Sequence, residues 1–343
     1  MKKISYTLTI LLLAILSLTS CTKALLGEEE PNTPTSNFEV LWQDFDQHYG
    51  AFGPKNINWK EQYAKFRPKV NDHMNDQELY TVMKELLDVL DDNHIYLRPT
   101  AQTGLPWYNG GILGRTVVED YKKAVAQSYL TQKTVYDNAL EYGLFSGNIG
   151  YINIKNMDNN INSYYKAMDV VLDALKDTKG IIIELRENGG GEDRVSQYIA
   201  NRFASERHLS FSSRLRNGPG YNDFSEPINF YTEPAGDFQY TKPVIVLTNL
   251  NSYSAAETFV LAMLQNKNVT TIGDVTGGAL SDAVERDLPN GWSYRMPIAD
   301  VRDATGKNLE GIGIQPHIKV KNTKAELESG HDKALEKALE RLQ

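Results

Sequence analysis

The sequence predicts an α/β protein built on a mainly parallel sheet, and three stretches carry that prediction. Ile149–Ile154 and Gly180–Leu185 are short apolar runs rich in isoleucine, and between them Ile161–Leu175 spaces its apolar residues as an amphipathic helix does. A strand–helix–strand unit of this kind implies parallel pairing through a right-handed crossover. Val244–Leu247 is a third buried-type strand, followed by a polar turn and a helix over Ala255–Leu264, with Phe259, Val260, Met263 and Leu264 at helical spacing.

At the N-terminus, Lys2 and Lys3 precede an apolar run from Leu8 to Leu18 and then Leu18-Thr19-Ser20-Cys21. The run is too short to span a membrane, so it reads as a secretory signal. Its ending resembles a bacterial lipoprotein lipobox, which implies cleavage before Cys21, lipidation of that thiol and a membrane-anchored protein of the cell envelope. Cys21 is the only cysteine, so an exported chain has no disulfide to form. Removing residues 1–20 takes away two lysines and no acids, which moves the net charge from −8 to −10. The mature chain is acidic and has no basic stripe with interleaved aromatics, which argues against a nucleic-acid partner. Residues 21–37, with Leu26–Asn37 rich in glutamate and proline, read as a tether.

A helical segment over 38–98 follows. Asn37 is a candidate cap for a helix burying Phe38, Leu41, Trp42, Phe45 and Tyr49, and Trp59, Tyr63 and Phe66 continue at helical spacing. Asn75-Asp76-Gln77-Glu78 has the form of a capping box for a helix with Leu79, Val82, Met83, Leu86, Leu87 and Leu90 on one face. That helix runs out at Asp91-Asp92-Asn93-His94. Of the six histidines, His94 stands out because it ends a well-formed helix in a polar turn, from which a side chain can reach across an interface. No His-x-x-x-His or Cys/His cluster is present, which disfavours zinc. Residues 99–148 are poorly periodic and are read as a connecting region before a catalytic domain over 149–343; Gly110–Gly114 lacks the lysine of a phosphate cradle.

Arg186-Glu187-Asn188-Gly189-Gly190-Gly191-Glu192 joins a strand to a helix. Its three glycines suit a phosphate cradle, an oxyanion hole or a plain tight turn; the absence of Gly-Lys-Ser/Thr disfavours phosphate. Ser254 lies on the corner between Val244–Leu247 and the next helix, where free amides favour negative charge. Ser254-Ala255-Ala256-Glu257 also fits a capping box, so the serine alone is either a cap or a nucleophile. Asn290-Gly291 predicts a hairpin between Ala283–Leu288 and Trp292–Pro297. Glu310, just before Gly311-Ile312-Gly313, is a candidate for orienting a histidine, beside the commoner role of a turn carboxylate.

Taken together, Leu90–Leu97, Gly180–Gly191, Val246–Glu257, Gly273–Gly278 and Leu309–Pro316 resemble, in order and spacing, the serine peptidases that include the C-terminal processing peptidases, the tricorn core and the interphotoreceptor retinoid-binding protein repeats. Trp42–Val70 is similar to the helical domain of the exported lipoprotein branch. The resemblance implies a ClpP/crotonase-like core of β-β-α units with an N-terminal helical domain. The lysine that activates serine in the processing peptidases falls on Ala279 here, which excludes a serine–lysine dyad. The tricorn-like branch implies Ser254, His94 and Glu310 as catalytic residues, with oxyanion donors on the Gly190 and Ala255 amides. Asn93 stands where tricorn has a serine and is a candidate for supporting Glu310 or the imidazole. The stretch between Leu97 and Ile149 is too short for a complete PDZ domain, so recognition of a free C-terminus is not carried over with one.

The leading reading is a lipid-anchored serine peptidase acting on peptides or proteins without metal or organic cofactor. A non-catalytic peptide- or ligand-binding lipoprotein on the same scaffold is the alternative. Acyl-CoA chemistry is disfavoured by the export signal and by the lack of a basic phosphate site.

Overall fold

The computed structural model describes residues 30–137, 140–158 and 160–343. The predicted signal segment and Cys21 lie outside them. The apolar runs become the centre of a seven-stranded sheet in the order β14-β10-β9-β6-β5-β4-β3. β5 (Ile149–Ile154), β6 (Ile181–Glu184), β9 (Val244–Thr248), β10 (Val269–Gly273) and β14 (Ile318–Lys319) run parallel. On one face pack the helices Ile161–Leu175, Asp193–Asn201 and Ala255–Met263, whose Val171, Ile199 and Phe259 are buried with Ile152, Ile183 and Val246. The other face is closed by the C-terminal helix Lys333–Leu342, through Leu335 and Ala338 against Ile182 and Leu247. Both faces are covered, so the central strands are continuously apolar rather than alternating.

The connecting region is more than a link. β3 (Leu130–Val135) and β4 (Leu140–Phe145) add antiparallel to β5 and extend the central sheet, with Leu140 paired to Ile154 and Phe145 to Ile149. β3 is the sheet's exposed edge, and its Leu-Thr-Gln-Lys-Thr-Val sequence has too little apolar content to announce a strand. A three-stranded antiparallel sheet, β13-β7-β8, comprises Ala299–Asp303, His208–Leu215 and Ile228–Thr232.

The N-terminal helices Pro34–His48, Trp59–Phe66 and Asp76–Asp88 form a second core with a four-stranded sheet of order β11-β12-β1-β2. β1 (Tyr96–Arg98) and β2 (Tyr108–Asn109) come from the region after His94, whereas β11 (Ala283–Asp287) and β12 (Ser293–Pro297) are the hairpin that Asn290-Gly291 predicts, with Ala283 paired to Pro297. Phe45, Trp59 and Leu86 are buried together with Trp292, Tyr294 and Met296. The C-terminal half thus supplies half of the floor on which the N-terminal helices sit, and its β12 pairs with β1 just after His94. The first helix starts earlier than the sequence suggests. Thr33, not Asn37, is its cap, accepting from the Ser36 amide, and Asn37 is buried one turn inside, donating to the Thr33 carbonyl at 2.8 Å. The Asn75–Glu78 capping box forms as predicted. No helix among the described residues is long and apolar enough to cross a membrane.

Candidate active site

Ser254 joins β9's turn to the helix Ala255–Met263 with φ 60° and ψ −128°. A residue with a Cβ is strained there by about 1–3 kcal/mol, and such strain persists only where the surroundings over-determine it. Here they do. The Ser254 amide donates to the Ala279 carbonyl (2.9 Å) and to Glu257 Oε2 (3.3 Å), and the Ser254 carbonyl accepts from the Glu257 amide at 2.7 Å. Glu257 thus reaches back to the Ser254 amide and closes the capping box that the sequence predicts across this corner. A strained strand-to-helix corner is the form in which hydrolases present a serine.

Glu257, read from sequence only as a capping partner, is the hub of this corner. It is fully buried, and its carboxylate accepts from Thr276 Oγ1 (2.5 Å) and the amides of Gly278 (2.9 Å) and Ala279 (2.8 Å). Burial pushes its carboxyl up to about 7 against the pull of those hydrogen bonds. The next two amides of the same loop, Leu280 (2.9 Å) and Ser281 (3.0 Å), donate to Glu310 Oε2. Four successive amides are thus divided between the carboxylate behind Ser254 and the carboxylate beside His94.

His94 is 2% exposed, and neither ring nitrogen has a hydrogen-bond partner; Glu310 is 5% exposed, and its Oε1 likewise has none. Buried polar atoms are rarely left this way. The imidazole lies edge-on to the ring of Tyr253, the residue before the serine, at 6.4 Å between centroids. Asp92, which sequence reading passed over, joins them: one ligand atom each from Asp92, His94 and Glu310 lies within 4.8 Å of the others. Asp92 Oδ1 accepts from the His94 amide (2.9 Å), and Oδ2 accepts from Tyr49 Oη (2.7 Å) and from Lys55 Nζ (3.4 Å). These three donors could ligate a metal, but the positive charge beside them is the Lys55 ammonium, held by the Leu90 and Asp91 carbonyls at 2.9 and 2.8 Å. Burial, then the positive charge of Arg295, lowers the His94 pKa to about 4. Burial, then the Asp92 carboxylate, drives Glu310 well above the usual carboxylate range, with Lys55 pulling it back.

Gly190 approaches the serine so closely that a Cβ on it would stand 2.6 Å from the Ser254 Cβ, and its φ of +91° suits glycine. Its amide, however, is already committed, donating to Asn188 Oδ1 at 2.8 Å. This corrects the sequence expectation that Gly190 supplies an oxyanion donor. With that amide turned away, the following one, on exposed Gly191, has no acceptor among the described residues, and neither does the Ala255 amide. Asn93 also departs from expectation. Its side chain donates to the Gly277 carbonyl (2.6 Å) and accepts from the Leu113 amide (2.9 Å), so it ties two loops together and bonds neither Glu310 nor the imidazole. Ala279 is buried in the corner. Ser254 opens on a cavity of about 320 Å³ lined by Gly191, Glu192, Asp193, Leu280, Asp282 and Arg295, among others.

Comparison with known proteins defines the class first. The family described as "Peptidase family S41" matches residues 148–320, and the "Tricorn protease C1 domain" matches residues 31–88. The chain belongs to peptidase family S41. A candidate peptidase of known structure from Parabacteroides merdae is 31% identical, with a TM-score of 0.81 over 91% of this chain and 97% of that one. The carboxy-terminal processing protease CtpA of Bacillus subtilis is 25% identical over 209 residues, 60% of this chain and 41% of CtpA; the chain spans well under half the length of this curated relative. Mature CPAF in complex with lactacystin shares the fold at 12% identity, with a TM-score of 0.69 over 90% of this chain and 98% of that one.

Proposed function

We propose that this protein is a serine peptidase, with Ser254 as nucleophile, His94 as general base and Glu310 as the group that orients the imidazole. The observation that carries the reading is the strained Ser254 corner opening on its cavity, next to two amides without acceptors and a buried imidazole without hydrogen-bond partners. A serine hydroxyl near neutral pH needs a base and a third group to hold that base. In this scheme Ser254 Oγ attacks the peptide carbonyl carbon while His94 takes its proton. The oxyanion forms against the Gly191 and Ala255 amides, a contribution of roughly 10²- to 10³-fold per donor. Collapse expels the amine, which takes the proton from His94, and water then hydrolyses the acyl-enzyme by the same route. Glu310 Oε1 is the open acceptor for the imidazole N–H that forms. The imidazolium is positive beside Asp92 and Glu310, so charge that is poorly matched at rest becomes matched in the transition state. The free ring nitrogens describe a resting site whose hydrogen bonds close when substrate is bound.

The relatives' description as carboxy-terminal processing proteases supports peptide or protein substrates for this chain as well. We place the protein in the cell envelope, anchored by lipid on Cys21, on the strength of the lipobox-like Leu18–Cys21. Incubation of the mature protein with an unfolded protein, read by mass spectrometry of the fragments, tests the activity: cleavage that Ser254→Ala abolishes supports it, and an intact substrate overturns it. A fatty-acyl mass on Cys21, lost with Cys21→Ala, tests the anchor; a free thiol on the mature chain refutes it.

A further inference from the structure

β12 alternates as a half-buried strand does. Tyr294 and Met296 enter the N-terminal core, and Arg295 points to the opposite face. There its Cα stands opposite Tyr96, two residues after His94, and its side chain lines the cavity that holds Ser254. Among the described residues every other arginine but one has a hydrogen-bond or ion-pair partner: Arg98 pairs with Glu285, Arg194 with Glu192, and Arg286 with Asp44. The exceptions are Arg341, exposed near the C-terminus, and half-buried Arg295. Acids are not scarce in a chain of net charge −8. No ion pair joins Arg295 to Asp282, which lines the same cavity, or to Glu285, its neighbour across the strand pair, which Tyr96 and Arg98 engage; Glu192 is taken by Arg194 and Asp193 accepts from Thr258 Oγ1 at 2.7 Å. A guanidinium drawn partly out of water without an acceptor is costly, and its planar fork fits a carboxylate.

His94 returns its proton to the leaving amine, so a group beside His94 faces the part of the substrate that leaves. Resting on the assignment of Ser254 and His94 as the catalytic pair, we propose that Arg295 binds a carboxylate carried by the residue on the C-terminal side of the scissile bond. The protein therefore prefers such substrates over neutral ones. Two sources share that chemistry, the α-carboxylate of a C-terminal residue and the side chain of an internal aspartate or glutamate. The pairing has a second effect: Arg295 is the strongest charge depressing His94 basicity, and a bound carboxylate offsets it. The substrate that fits thereby strengthens the base that activates Ser254.

The test uses four peptides built on a bond that the protein cuts in unfolded protein. Two end in the first residue after that bond, one as free acid and one as amide. Two continue beyond it with an amidated end, one carrying Glu and one Gln at that position. A charge-assisted bidentate contact predicts a kcat/KM ratio of roughly tenfold or more for one acid over its neutral partner. A ratio in the first pair assigns the C-terminal carboxylate; a ratio in the second assigns the side chain. In Arg295→Gln that ratio falls to about one, and Arg295→Lys keeps part of it through its charge. Ratios near one in wild type, or a ratio that survives Arg295→Gln, overturn the proposal. Fluorophosphonate labelling of wild-type Ser254 separates the two levels: a protein that labels but shows no carboxylate preference loses only the Arg295 assignment, whereas one that neither labels nor cuts loses the catalytic reading and this proposal with it.

Discussion

Two buried charge clusters flank the sheet, and they are built to opposite standards. In the first, Arg186 donates Nε and Nη2 to Glu184 at 2.8 and 2.6 Å and Nη1 and Nη2 to Asp332 at 2.9 and 2.8 Å; Asp332 also accepts from Asn322 Nδ2 and the Leu335 amide. Each guanidinium nitrogen is used, and the cluster locks the C-terminal helix to the end of β6. In the second, Asp92, His94 and Glu310 are equally buried, yet three of their polar atoms have no partner. Burial does not distinguish the two; satisfaction does. A complete network holds the chain in place, and an incomplete one is an unsatisfied demand that a substrate can meet.

Breaking the second cluster at its nucleophile gives the largest expected effect. Ser254→Ala lowers kcat/KM by at least about 10⁴-fold without loss of stability, and Ser254→Gly relieves the positive φ and raises stability by about 1 kcal/mol. Activity assays beside urea unfolding check both. The contrast between clusters is sharpest when Arg186→Met is set against Glu310→Gln. Removing Arg186 strands two buried carboxylates and costs about 3–5 kcal/mol, seen as a lower denaturation midpoint. Glu310 behaves the other way. Its folded-state pKa is raised, so its contribution to stability is present below the ordinary carboxylate range and lost as pH rises through the folded value. Glu310→Gln removes that burden and stabilises the protein at neutral pH by about 0.5–2 kcal/mol, while activity falls by about 10⁴-fold.

His94 supplies a pH test of the same contrast. Its pKa falls from 6.5 to about 4 in the folded chain, so the unfolded chain binds a proton in this window that the folded chain refuses. Its contribution is complete above pH 6.5 and is lost as pH drops toward 4, by about 3 kcal/mol in total. His94→Gln flattens that part of the stability–pH curve; an unchanged curve contradicts the burial argument. The smallest effect is that of Lys55→Met. Lys55 lowers the His94 pKa and opposes the rise of Glu310, so its removal moves the acid limb of kcat/KM upward by roughly half a unit.

The parallel core was legible because buried strands have no choice but to be apolar: β5 and the helix Ile161–Leu175 stand where their periodicity places them. β7 and β8 were not, because their buried positions include Ser210 and Thr232, which satisfy one another by a hydroxyl contact and erase the apolar signal. At the proposed site, Ser254, His94 and Glu310 stood out as candidates because each sits at a break between elements, and the family resemblance put the three together. Asp92 lies next to His94 and escaped because a helix-ending acid is ordinarily solvated; only the fold brings Tyr49 and Lys55 over it. The exchange of Gly190 for Gly191 as the open amide was beyond sequence reading, since it turns on where the Asn188 side chain points. Arg295 lies on a strand whose alternation predicts only a face, and its lack of a partner is a property of the folded neighbourhood alone.

The proposed chemistry requires an activated serine. Its most direct test is the intact mass of the mature protein after treatment with a fluorophosphonate probe, with the adduct located by peptide mapping and the variants Ser254→Ala and His94→Ala run alongside. One probe per chain on Ser254, absent from both variants, is the predicted result. Native, folded protein that stays unlabelled, or labelling that persists in Ser254→Ala, contradicts the assignment of this corner as the catalytic centre.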